Sequence, residues 1–143
     1  MTDDDARRFA AMSRSDCLQR LGAGTIGRVA YNTLDGPQIL PVTYVLHESQ
    51  VVFRTSAYGP LAELQAGRPV AFEVDEFDPR TRTGWSVLIR GRALGARRPE
   101  QLQTLWREAD PVPWAGGNRN LFVCVSIDQL TGRVISRAPR DED

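Results

Sequence analysis

The sequence predicts a mainly β protein that folds as a small antiparallel barrel with few and short helices. Apolar and polar residues alternate with a period of two, most clearly over residues 70–75. Asp35-Gly36 is a strong hairpin signal between two strand-like segments. About six strands are expected, and a closed barrel is favoured over an open sheet because closure removes exposed edges.

The first half of the chain is predicted to form a helix followed by three strands. Ser15 is expected to cap the helix. Pro41 is expected at a sheet edge or bulge, because proline cannot donate a hydrogen bond to a neighbouring strand. The helix is predicted at residues 16–21. The three strands are predicted at residues 25–33, 38–46 and 51–55 and are expected to form an antiparallel meander.

The second half alternates between strands and short helices. Asp78-Pro79-Arg80 marks a turn, and Gly91 and Gly95 interrupt a long strand. Gly91 is therefore expected at a bend or a close backbone approach. The predicted elements are a helix at 60–65, a strand at 70–75, the long strand at 84–96, a helix at 99–108, and strands at 121–127 and 130–135.

The 143 residues are expected to form a single domain, residues 1–143, with solvated tails at about 1–12 and 138–143. The amino terminus is acidic and carries no apolar run of the signal-peptide type. No apolar run is long enough to cross a bilayer. A cytoplasmic protein is expected.

Charge and composition exclude several function classes. Eighteen basic residues balance eighteen acidic ones, so no overall positive field favours nucleic acid or an anionic membrane as partner. Every basic residue is arginine, which excludes Schiff-base chemistry on a lysine. Two cysteines and one histidine lack the spacing of a metal site, and free thiols are expected.

Residues 51–64 suit a phosphate monoester. A short apolar strand ends in Arg54, Thr55 and Ser56, and Gly59 then precedes a predicted helix start at Pro60. Arginine can bind phosphate bidentately, the hydroxyls can donate, and a helix N-terminus favours an anion. A solvated surface arginine is the simpler interpretation of the same residues.

Other polar and aromatic features favour structural interpretations. Trp85 can pack in the core, cover a ligand ring or fill a subunit interface, and its strand pattern favours the core. Asp75, Glu76 and Asp78, with Glu73 nearby, form an acidic cluster at the end of a strand, which is expected to be a solvated turn salt-bridged to the arginines at positions 80 and 82. His47 is expected in an exposed hairpin turn. Since no catalytic side-chain set can be assembled, any catalysis would rely on a bound cofactor.

The ordered motifs of the chain resemble the pyridoxamine 5′-phosphate oxidase-like family, specifically its short actinobacterial members. The resemblance spans roughly Cys17 to Arg137, and its motifs are Gly27-Arg28-Val29-Ala30-Tyr31, Pro41-Val42-Thr43-Tyr44, Val52-Phe53-Arg54-Thr55, Val70 to Asp75, and Gly84-Trp85-Ser86-Val87. It implies a six-stranded split barrel that forms a homodimer with FMN at the interface. It also implies an FMN-dependent oxidoreductase, of unknown substrate.

The resemblance implies cofactor binding and no catalytic side chain. The phosphate is expected at Arg54, Thr55 and Ser56 and at the helix start from Gly59 to Leu61. The ring is expected along Pro41, Val42 and Thr43, with Trp85 and Ser86 contributed by the same or the opposing subunit. The full expected set is Pro41, Val42, Thr43, Phe53, Arg54, Thr55, Ser56, Gly59, Leu61, Trp85 and Ser86.

The sequence departs from the family pattern at two places. Many relatives carry a lysine after the glycine of the phosphate turn, where this chain reads Gly59-Pro60-Leu61. The carboxyl-terminal arginine-histidine motif of true pyridoxamine phosphate oxidases is also missing, so oxidation of vitamin B6 is not expected. Trp114 is a candidate to close the pocket.

Three alternatives remain open at this point. A deazaflavin could replace FMN, with Arg28, Arg90 and Arg92 lining a wider basic channel. The barrel could instead be a non-catalytic module that binds a flavin or another ligand. Relatives also include haem binders.

Overall fold

The computed structural model describes residues 7–114, 116–117 and 119–137. Within these ranges lie nine strands, two α-helices and one 3-10 helix. In chain order they are β1 (Arg7–Ala11), α1 (Arg14–Ala23), β2 (Ile26–Thr33), β3 (Gly36–Thr43), β4 (Val45–His47), β5 (Gln50–Thr55), the 3-10 helix (Pro60–Gln65), β6 (Ala66–Asp78), β7 (Thr83–Gly95), α2 (Pro99–Glu108), β8 (Leu121–Ser126) and β9 (Gln129–Arg137).

The strands form one curled antiparallel sheet, a half-barrel, in the order β3-β2-β6-β7-β8-β5-β4. β9 pairs with β7 and with β1. The predicted mainly β split barrel is confirmed. The predicted count of six strands is wrong, because the described residues contain nine, some of them short edge strands.

One edge of β7 pairs with two different strands in turn, β9 and then β8. Over Gly84–Arg90 it pairs with β9, and over Ala93–Gly95 it pairs with β8. At Gly91, between the two ladders, an added Cβ would collide with the backbone oxygen of Ser126. The predicted close approach at Gly91 is therefore confirmed, since only a residue without a side chain lets the two backbones meet there.

The amino-terminal region departs from its prediction. Residues 7–11, expected in a tail, form β1, which pairs with β9 along its whole length. Ser13, not Ser15, caps α1 by accepting a hydrogen bond from the Asp16 N–H at 3.1 Å. Either serine suits an N-cap, and the position of β1 decides between them. The predicted tail at 138–143 lies outside the described residues.

The predicted meander of the first three strands is confirmed in part. β2 pairs with β3 and β5 pairs with β4, but the strand predicted at 38–46 is broken at Tyr44 into β3 and β4, and β5 also pairs with β8. The chain leaves β3 at Tyr44, whose N–H bonds to the Thr25 carbonyl and whose hydroxyl donates to the Leu21 carbonyl. β3 is thus an edge strand, as Pro41 predicted, and it carries a second proline at Pro37.

Two apolar clusters lie on opposite sides of β5 and β8. The larger one fills the inside of the curled sheet and includes Val51 and Phe53. The smaller one lies under α2 and includes Val52, Phe122 and Leu105. Because successive strand residues point to opposite faces, Arg54 follows Val52 to the α2 side, whereas Thr55 follows Phe53. Among the described residues, no helix is long and apolar enough to cross a membrane.

Candidate functional site

One pocket collects most of the predicted binding residues. It has a volume of about 230 Å³ and lies where β2 begins and β3 and β5 end. Six of its lining residues were predicted: Pro41, Val42, Thr43, Arg54, Thr55 and Leu61. Four were not in the predicted set: Ile26, Pro113, Trp114 and Arg119. We call this site the Arg54 pocket.

The Arg54 guanidinium is almost enclosed by protein. Its side chain is 13% exposed, and its Nη1 lies 2.7 Å from Oδ1 of Asp110. Its Nε donates to the carbonyl of Arg119 at 3.0 Å. The guanidinium carbon lies 4.3 Å from the centre of the Trp106 ring, a cation–π contact. The solvated surface arginine, the simpler interpretation of this segment, is therefore excluded.

The segment from Asp110 to Asn120 forms one wall of the pocket. Asp110 and the Arg119 carbonyl hold its two ends to Arg54. Between them, the Thr43 hydroxyl donates to the Val112 carbonyl at 3.2 Å. These bonds bring Pro113, Trp114 and Arg119 to the pocket, and Trp114 stays 75% exposed.

The predicted phosphate turn is present, but it offers fewer donors than the sequence suggested. Residues 60–65 form a 3-10 helix that begins with a proline, which has no N–H. The Ser56 hydroxyl accepts from the Tyr58 N–H, and the Gly59 N–H bonds to the Ser56 carbonyl. Ser56 and Gly59 thus shape the turn beside the pocket, whereas Leu61 lines it.

Three predicted residues lie away from the pocket. Phe53 is completely buried in the core, because its position in β5 points it inward. Trp85 packs against the same core with the Arg20 guanidinium over its ring, which confirms the core interpretation. Ser86 lies beside it on β7, opposite Asp75 of β6. Neither Trp85 nor Ser86 lines the pocket of the same chain.

The two residues that sequence reasoning missed most clearly are Ile26 and Arg119. Ile26 begins β2 and reaches the pocket because it pairs with Thr43 of β3. Arg119 comes close to Arg54 only through the return of residues 110–120 to β8. The Pro- and Gly-rich composition of that segment indicates a loop but not which part of the fold the loop contacts.

A family model described as pyridoxamine 5′-phosphate oxidase matches residues 13–134. The chain belongs to the pyridoxamine 5′-phosphate oxidase-like family. This confirms the family resemblance. The uncharacterized protein Rv0080 of Mycobacterium tuberculosis is 31% identical over 142 residues, which cover 94% of this chain and 92% of the relative.

Solved structures of similar proteins share the fold of this pyridoxamine 5′-phosphate oxidase-like chain. One is the FAD binding protein from Mycobacterium smegmatis, with 26% identity, a TM-score of 0.73, and coverage of 89% of this chain and 99% of that one. Another is a conserved protein of unknown function from Corynebacterium diphtheriae, with 30% identity, a TM-score of 0.74, and coverage of 90% and 98%.

The two cysteines and the histidine of this family member lie outside the Arg54 pocket. Burial raises the pKa of the Cys124 thiol to about 11, and it also raises that of Cys17, so neither is an activated nucleophile. His47 is less exposed than predicted, and its Nε2 lies 3.4 Å from Oε2 of Glu108. Within the described ranges, no group of three or more His, Cys, Asp or Glu could hold a metal ion.

The acidic cluster is divided between a strand and a turn. Glu73 and Asp75 lie on β6, within the strand predicted at 70–75, and both face Arg28 of β2, at 3.4 and 3.8 Å. Burial raises the pKa of Glu73 to about 7; a hydrogen bond to Asp75 and the charge of Asp75 add to this, and Arg28 opposes it. Only the Asp78–Arg80 pair lies in the predicted turn.

The raised pKa of Glu73 predicts a pH-dependent stability. The folded protein holds this proton more tightly than the unfolded chain, whose carboxyl titrates near 4.5. The contribution of Glu73 to the free energy of unfolding is therefore fully present below about pH 4.5 and is lost as the pH rises through about 7. Glu73→Gln should be more stable relative to wild type at about pH 8 than at about pH 5, as measured by urea unfolding.

The matched control is Glu76→Gln, which removes one negative charge from an exposed position on the same strand. Its stability difference from wild type should change little between the two pH values. An equal change in both variants would contradict a specific role for Glu73.

Proposed function

We propose that this protein binds a flavin, with FMN as the leading candidate, in the Arg54 pocket and acts as a homodimeric flavin-dependent oxidoreductase. The observation that carries the proposal is the composition of the pocket. Two arginines and two threonines lie beside apolar walls made by Ile26, Val42 and Leu61, among others. This combination suits a planar apolar ring with an anionic tail.

The residues of the pocket fit a flavin phosphate at one end. Arg54 and Arg119 supply guanidinium groups, and Thr55 supplies a hydroxyl at the end of β5. Guanidinium groups form the strongest hydrogen bonds to phosphate that side chains offer. The missing lysine of the phosphate turn is thus offset by Arg119, a cation from a different part of the chain.

The other end of the pocket fits the flavin ring. Pro41, Val42 and Thr43 form the end of an edge strand, so backbone groups there can bond the polar rim of the ring. Trp114 is exposed beside them and can cover a ring face. A bound flavin supplies the redox chemistry, and the protein binds it, orients it and shields it from water.

The homodimer is supported by the size of the pocket and by its surroundings. A volume of about 230 Å³ is below the roughly 300–1,000 Å³ of typical ligand sites, so further walls are needed. Ile26 and Ile39 are 39% and 61% exposed, and the strand register places both on the outward face of β2 and β3. Ser86 lies on that same face of the sheet, where it would meet the ligand of a second copy.

FAD and a deazaflavin are the competing cofactors. One structural relative is named as FAD binding, and both molecules carry a longer anionic tail than FMN. Arg28, the arginine named for a wider channel, is already paired with Glu73 and Asp75. This pairing favours a short phosphate tail over a long one.

The first test is a titration with FMN, FAD, a deazaflavin cofactor and riboflavin, followed by fluorescence quenching or calorimetry. FMN should bind, and the freshly purified protein should be yellow. Arg54→Ala should weaken FMN binding by roughly 2–4 kcal/mol and riboflavin binding much less, because only FMN carries the phosphate. Arg80→Ala is the matched control, since that side chain is 91% exposed in a distant turn.

Absence of flavin binding by the wild-type protein would overturn the proposal. Tighter binding of FAD or the deazaflavin than of FMN would keep the pocket and change the cofactor. An equal loss of affinity for FMN and for riboflavin in the Arg54→Ala variant would show that Arg54 acts by shaping the pocket and not by binding phosphate.

The second test separates an enzyme from a non-catalytic flavin module. Nicotinamide donors should bleach the flavin band of the FMN complex under anaerobic conditions, and air should restore it. A complex that binds FMN tightly and resists reduction by every donor tried would favour the non-catalytic module.

The third test addresses the homodimer. Light scattering should give twice the chain mass of 15.9 kDa. Ile39→Glu should return the mass to that of one chain, because a charge would enter the apolar contact. Leu34→Glu, at a fully exposed hairpin tip, should leave the dimer intact. A monomeric wild-type protein would contradict this part of the proposal.

A further inference from the structure

The contacts of Arg54 restrict how it can receive a phosphate. A guanidinium has five N–H groups and binds an oxyanion bidentately through one of two forks, one containing Nε and the other containing both Nη atoms. Nε already donates to the Arg119 carbonyl, and Nη1 already donates to Asp110. The fork that contains Nε therefore has one arm in use. A phosphate at the other fork would have to share Nη1, which keeps a second N–H, with the Asp110 carboxylate.

Asp110 also cancels the charge of Arg54 at the pocket. The two side chains lie 2.7 Å apart, and Arg54 is largely shielded from solvent. A carboxylate at that distance competes with a phosphate for the same guanidinium and repels the negative charge of the phosphate. Asp110 is itself only partly buried, with 35% of its side chain exposed, so it can turn toward water when displaced.

Arg119 differs from Arg54 in this respect. Its Nε donates to the Gly116 carbonyl at 3.3 Å, a neutral partner. Among the described residues, no carboxylate lies within ion-pair distance of it. The pocket therefore contains one compensated and one uncompensated guanidinium.

We infer that Asp110 is a specificity-determining residue, which competes with the ligand's phosphate for Arg54 and so limits the preference of the pocket for a doubly charged terminal phosphate. This inference rests on the proposed flavin function. According to this inference, Asp110 sets the ratio between the affinity for FMN and the affinity for flavins that lack a terminal phosphate. Asp110 acts on affinity through charge and needs no contact with the flavin ring.

The test compares FMN with riboflavin, which share the ring and differ in the phosphate. Asp110→Asn keeps an oxygen that can accept from Arg54 and removes the charge. The ratio of FMN affinity to riboflavin affinity should rise about tenfold, with riboflavin affinity nearly unchanged, because one unit charge near the phosphate is lost. Asp110→Ala, which also removes the acceptor, should raise the ratio at least as much.

The control is Glu108→Gln, which removes a carboxylate two residues away that contacts His47 and not Arg54. It should leave the ratio unchanged. An unchanged ratio in both Asp110 variants, or an equal fall in both affinities, would overturn the inference and leave Asp110 a merely structural residue. Failure of the wild-type protein to bind either flavin would instead overturn the proposed function.

Discussion

The contacts of one guanidinium connect the parts of this site that are farthest apart in sequence. Arg54 is the next-to-last residue of β5, stacks on Trp106 of α2, and bonds to both ends of the segment from Asp110 to Arg119. Within the described structure, the bond from Thr43 to Val112 is the other polar link between that segment and the sheet. The position of the pocket wall thus depends on the Arg54 guanidinium, which the Trp106 ring and the Asp110 carboxylate hold in a largely enclosed site.

In the proposed function, one residue serves the fold and the ligand together. An arginine side chain carries a long apolar stem and a planar head with several donors. In this chain the head contacts Trp106 by one face and protein oxygens along its edges. Donors that already bond to protein are well oriented, and in the proposed function an anion would compete with the protein oxygens that they contact.

Local signals in the sequence predicted much of the fold. The 3-10 helix, α2 and the first hairpin turn depend on neighbouring residues. Both helices lie where the sequence pattern placed them, and the turn at Leu34 and Asp35 lies one residue before the Asp35-Gly36 signal. Gly91 is another such case, since a glycine within a long strand indicates a close approach even when the partner is unknown.

Contacts between distant segments could not be predicted in the same way. Nothing within residues 51–55 indicates that β5 pairs with β8, about seventy residues later, and not with β3. The partners of Arg54 illustrate the same difficulty, because Asp110 and Arg119 lie 56 and 65 residues away. The sequence indicated a type of group that could bind phosphate, but it did not indicate the carboxylate that pairs with that group.

The two prolines of β3 have a consequence for how this sheet meets other chains. A proline cannot donate to β2, so Pro37 and Pro41 direct their nitrogens to the open side, together with Ile39 and Thr43, which share their register. Two of the four backbone nitrogens on the open edge of β3 therefore carry no N–H. An extended peptide or a foreign strand would find too few donors to extend the sheet, so growth into fibrils from this border is blocked.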